Sequence, residues 1–148
     1  WLVRKVTGLR VFDDENHVTN LALIALKNGN TSEAESYIAK ANDANGLSEV
    51  LGNLNIAKGD YAQAVKNFGS SATNSAALAQ LLTKDYATAL STLNNVKNAD
   101  GMTEYLKAIV NNRMGNTSAA KAALDKAKKL DKTLAAYASK DLELANLK

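Results

Sequence analysis

Apolar residues recur along this chain at helical spacing. Leu21, Ala22, Ala25 and Leu26 stand three, four, seven and eight positions after Val18, and Val50, Leu51, Leu54 and Ala57 stand three, four, seven and ten after Leu47. Ala77, Leu78, Leu81 and Leu82 keep the same rhythm, and so do Met102, Tyr105, Leu106, Ile109 and Val110. Such intervals gather side chains on one face of an α-helix. They predict helices over 15–28, 47–58, 74–83 and 102–114. Between these lies a second set, over 31–42, 61–69, 86–96 and 117–130. Each of them carries a small residue and, four positions later, a bulky one: Ala34 and Ile38, Ala64 and Phe68, Ala89 and Leu93, Ala120 and Leu124. Three positions further on stand Ala41, Ser71, Val96 and Ala127. A closing helix over 132–147 is predicted with Leu134, Tyr137, Ala138, Leu142 and Ala145 facing inward.

The polar punctuation repeats with the apolar pattern. Gly29-Asn30, Gly59-Asp60, Lys84-Asp85 and Gly115-Asn116 precede the second helices. Glycine ends a helix in the left-handed conformation without steric cost. Asn and Asp are suited to N-cap the helix that follows. Glu33 and Gln63, three positions after their caps, stand where a capping box places its acid or amide. Asp131 is predicted to cap the closing helix. Together these signals describe a helical hairpin repeated four times, and self-similarity of this kind marks a repeat architecture.

In these residues the chain resembles the tetratricopeptide repeat (TPR) family, whose units are helix–turn–helix. The family's second-helix pattern is met best by Gly59, Asp60, Tyr61, Ala64 and Phe68, and next by Asp85, Tyr86, Ala89, Leu93 and Val96. Ala22, Gly52, Ala77 and Ala108 stand at the family's small position in the first helix. The likeness covers roughly residues 15–130. It implies an all-α fold, a right-handed α-solenoid of about four TPR-like hairpins (15–45, 46–72, 73–99 and 100–131) with a C-terminal capping helix at 132–148. The chain departs from the family in repeats shorter than ~34 residues, in having no proline, and in Lys84 at a turn glycine. Ala25, Asn55, Gln80 and Asn111 replace the family's first-helix aromatic. The chain also resembles repeat regions of bacterial cell-envelope proteins, which favours a periplasmic or envelope location over the cytoplasm.

Residues 1–14 fit the plan least. Leu2, Val6 and Leu9 suit the second helix of an upstream repeat, with a strand as the alternative. The start at Trp1 rather than Met predicts a piece of a longer protein. Composition narrows the chemistry. There is no Cys, so disulfides, thiolate metal sites and cysteine nucleophiles are excluded, and a single His leaves no His-pair metal site. His17 follows Asp13, Asp14 and Glu15, where acidic side chains suit a helix start; those three lack the spacing of a calcium loop. Ser70, Ser71 and Ser75 have no partnering base. A net charge of +3 is too small and too dispersed to predict nucleic-acid binding. The densest basic run, Lys126, Lys128, Lys129 and Lys132, reads as a solvated helix face. No apolar run has the length of a membrane span. Tyr61 and Tyr86, at the family's packing position in the second helix, read as packing residues rather than stacking platforms.

The expected function is therefore non-enzymatic, without metal or cofactor: a scaffold that binds a protein or peptide partner. The family resemblance places the binding surface on a concave groove lined by the first helix of each hairpin. Carried onto this sequence, the groove candidates are Lys27, Glu49, Asn53, Asn74, Tyr105, Asn112 and Arg113. Amides in such a groove can donate and accept along an extended backbone. The family's two-lysine carboxylate clamp is not reproduced. The alternative expectation is a structural spacer or self-associating module within a larger protein.

Overall fold

The computed structural model describes residues 17–41 and 47–147, and every regular element among them is helical. The expectations for residues 1–14, and for Asp13, Asp14 and Glu15, lie outside the described residues. In order, the helices are α1 (His17–Lys27), α2 (Thr31–Ala39), α3 (Leu47–Lys58), α4 (Tyr61–Phe68) and α5 (Asn74–Leu82). There follow α6 (Tyr86–Asn94), α7 (Gly101–Arg113), α8 (Thr117–Leu130), α9 (Thr133–Lys140) and a 3₁₀ helix, Leu142–Leu147.

One turn geometry joins α1 to α2, α3 to α4, α5 to α6 and α7 to α8. The N–H groups of Asn30, Asp60, Asp85 and Asn116 each donate back to the carbonyl five residues earlier, at 2.8, 2.8, 2.9 and 2.8 Å. The N–H of the residue before each of them donates to the carbonyl three earlier. This is the Schellman arrangement, which satisfies the orphan carbonyls of a helix end. It needs a left-handed residue, supplied at φ 82° by Gly59 and at φ 66° by Lys84, the one non-glycine residue with positive φ among those described.

The residue after the left-handed position then starts the next helix. Asn30, Asp60 and Asp85 accept from the backbone N–H groups of Glu33, Gln63 and Thr88 at 3.1, 3.2 and 3.3 Å. The fourth cap expected at this position does not form. The Asn116 side chain makes no cap bond, and its amide turns toward Asn111 Oδ1 at 3.5 Å. Nor does Glu33 close a capping box, because its carboxylate accepts from the Asn30 side-chain amide at 2.8 Å. A reciprocal box forms instead at Asp100 and Thr103, where the hydroxyl of Thr103 takes the role usually given to Glu or Gln.

The described residues divide into two compact units, with the division between Ser71 and Ala72. In the first, α1 packs on α2 and α3, and α3 packs on α4. Its core joins Ala22, Leu23, Leu26, Ala34, Val50 and Leu54. In the second, α7 is the hub, touching α5, α6, α8, α9 and the 3₁₀ helix. Tyr105, Leu106, Ala108 and Val110 on α7 are completely buried. All four small positions of the second helices, Ala34, Ala64, Ala89 and Ala120, are likewise fully buried, which lets paired helices approach closely.

The closing helix differs from expectation. It ends at Lys140, and Asp141 turns out of helical geometry at φ −78°, ψ 118°. The Asp141 carboxylate accepts from the N–H of Glu143 at 2.9 Å and so starts a new, tighter turn. This break rotates the segment beyond it. Leu142, expected inside, is 90% exposed, and Tyr137 is also exposed, whereas Leu144 and Leu147 are buried.

Candidate functional site

The seven groove candidates fall into both units. In the first, Lys27 ends α1 and is exposed, Glu49 is half-buried in the first turn of α3, and Asn53 is buried. Among the described residues Asn53 Oδ1 is a buried polar atom without a hydrogen-bond donor. Asn53 is thus enclosed and does not present its amide on an open surface. An orphan of this kind costs about 1–3 kcal/mol.

In the second unit, Asn74 bridges two helix starts. Its amide donates to Asp100 Oδ1 at 3.2 Å, and its Oδ1 accepts from the Thr103 hydroxyl at 2.9 Å. The structure brings the other three candidates together beneath residues 141–147. Tyr105, expected to face a groove, is entirely buried, and its hydroxyl donates to Asp141 Oδ2 at 2.5 Å. Burial first, then this hydrogen bond to a carboxylate, pushes the phenol above its ordinary pKa. About two helical turns further along α7, Asn112 Nδ2 donates to the backbone carbonyl of Glu143 at 2.6 Å. The same amide pairs reciprocally with Asn146, at 2.8 and 3.0 Å. Arg113 donates through Nε and Nη2 to both oxygens of Glu143, a bidentate fork that holds the guanidinium protonated beyond its usual range. Its Nη1 also approaches the Tyr86 hydroxyl, at 3.5 Å.

Asp141, Glu143 and Asn146 are therefore the partners of these three side chains, and sequence reasoning did not single them out. One signal was present. Leu144 and Leu147 fall out of phase with the stripe of Leu134, Ala138 and Ala145, as two buried leucines do when a helix changes pitch.

A second polar feature on α7 centres on Glu104. Glu104 is 4% exposed, and its Oε1 accepts from Lys126 Nζ at 2.9 Å and from Lys107 Nζ at 3.4 Å. Lys126 thus belongs to an ion pair, while Lys129 and Lys132 of the same basic run are exposed. Among the described residues, no cluster of three His, Asp or Glu side chains could hold a metal ion. No helix among them is long and apolar enough to cross a membrane. The chain matches no protein-family model, no curated protein and no solved structure. The tetratricopeptide likeness accordingly rests on the residues that carry it.

Proposed function

We propose that this chain is a non-enzymatic scaffold of TPR-like hairpins, of the right-handed α-solenoid kind, that binds a protein or peptide segment along the first helices of its hairpins. The observation that supports this reading is the bond from Asn112 to the main-chain carbonyl of Glu143, made beside the Arg113–Glu143 fork. An amide that holds a backbone carbonyl recognises a peptide segment whatever its side chains, and a neighbouring guanidinium selects a carboxylate. That pairing is the chemistry a peptide groove requires.

The test is selection of binding peptides from a displayed library against the purified chain. Enriched peptides should lose binding to Asn112→Ala and Arg113→Ala variants whose helicity by circular dichroism equals that of the parent. Enrichment indifferent to both substitutions would reject the row as the site. A chain that enriches nothing but forms dimers in sedimentation would favour the alternative, a structural or self-associating module.

A further inference from the structure

We propose that residues 141–147 are an intramolecular ligand of the row formed by Tyr105, Asn112 and Arg113, displaced in trans by a partner segment that repeats their chemistry. This inference rests on the peptide-binding reading above and specifies its ligand: two carboxylates two residues apart, with leucines one and four residues after the second.

Four observations carry it. First, every polar side chain of the row is engaged by this one segment: Tyr105 by Asp141, Asn112 by Glu143 and Asn146, and Arg113 by Glu143. Second, the bonds are those of recognition, comprising one to a main-chain carbonyl, one reciprocal amide pair and one carboxylate fork. Third, the apolar contacts follow the pitch of the segment. Leu144 and Leu147 lie three apart, on one side of a 3₁₀ helix, and both are buried, while Leu142 points away and is 90% exposed. Fourth, the segment breaks from the geometry of the helix before it, although it packs on α8 and α9 as well as on α7. Asp141 has extended geometry, and the segment's own backbone is tied by Leu144 N–H to the Asp141 carbonyl at 3.2 Å and Glu143 N–H to the Asp141 side chain.

The energetic balance also suits an exchangeable occupant. The Arg113 and Glu143 side chains keep 44% and 38% of their surface in water, so their attraction is screened and easily replaced by another carboxylate. A row that is filled in cis binds a competitor with an affinity lowered by the fraction of time it stands open.

The probe is a fluorescent peptide with the sequence of residues 140–148, titrated by anisotropy against the 148-residue chain and its Glu143→Arg variant. Glu143→Arg sets two cations against each other and frees the row. The variant should bind the peptide at least about tenfold more tightly than the parent chain. Adding Arg113→Glu to it reverses both charges of the fork, so the row closes in cis again and the gain in peptide binding should be lost. Equal affinity of parent and variant, or no binding to a variant of unchanged helicity, would overturn the proposal. Hydrogen exchange on the parent chain gives an answer even if the variant fails to fold. Amides of 141–147 should exchange at least tenfold faster than those of α7; exchange together with α7 would mean the segment opens only on unfolding, and would also overturn it. Library peptides that bind through Asn112 and Arg113 while the tail peptide does not would sink this inference alone and leave the peptide-binding reading standing.

Discussion

The Phe68 ring occupies the space where a Cβ on residue 52 would stand. An ideal Cβ at Gly52 would lie 2.6 Å from Phe68 Cζ, and Phe68 is itself buried against α3. Gly52→Ala gains helix propensity of about 1 kcal/mol, but overpacking a closed core costs about 1–3 kcal/mol. We expect a net loss of about 1 kcal/mol in urea unfolding. In a Phe68→Leu background the same substitution should be neutral or stabilising, because the ring that opposes it is gone.

Lys84 holds a left-handed conformation that the other turns of its kind assign to glycine. A side chain there costs about 1–2 kcal/mol, partly offset because glycine makes the unfolded chain more flexible by about 0.4–1 kcal/mol. Lys84→Gly should therefore stabilise the second unit by about 0.5–1 kcal/mol. Gly59→Ala should destabilise by a similar amount, since nothing lies near its missing Cβ and the backbone alone sets the sign. Thermal melting of both variants checks the pair.

Tyr105→Phe removes the hydrogen bond to Asp141 and leaves that carboxylate short of a donor. The expected loss is about 1.5–3 kcal/mol, as for hydrogen bonds to charged groups. The effect carries a pH signature. The folded phenol is raised above its unfolded value, so its contribution is complete below about pH 10, where an unfolded tyrosine is still protonated. It falls progressively as pH rises above that point. The stability difference between parent and Tyr105→Phe should be constant from pH 6 to 9 and shrink at higher pH. A difference that grew with alkalinity would contradict the assignment.

Glu104 is buried with two lysines around it. Replacing both, as Lys107→Met with Lys126→Met, leaves a carboxylate without compensation and should cost about 2–3 kcal/mol, at the low end for buried pairs because Lys126 is largely in water. Glu104→Gln in that double variant should recover most of the loss. Urea midpoints of the three chains decide it.

The hairpins were legible because each is written in neighbouring residues. A left-handed Gly59, a capping Asp60, a small Ala64 and a plugging Phe68 lie within ten positions, and each acts on backbone or side chains within a few turns. Where local reading failed, a competing partner was nearby but of an unexpected type. Asn116 turned to Asn111 instead of capping, and Thr103 closed a box that a search for Glu or Gln overlooks. The candidate site was legible only by half. Asn112, Arg113 and Tyr105 were picked out through the family resemblance, yet what they meet was not.

Sequence alone determined the helices, their turns and the small residues that let them pair, because periodicity and capping depend on contacts between near neighbours. Tertiary structure alone decided what covers α7. Asp141 stands 36 residues from Tyr105, and Glu143 stands 30 from Arg113. No local propensity links residues so far apart. They meet because Asp141 ends α9, the chain tightens into a 3₁₀ turn, and burial of Leu144 and Leu147 draws the segment down onto the row. That outcome follows from packing in three dimensions, which no single window of the sequence contains.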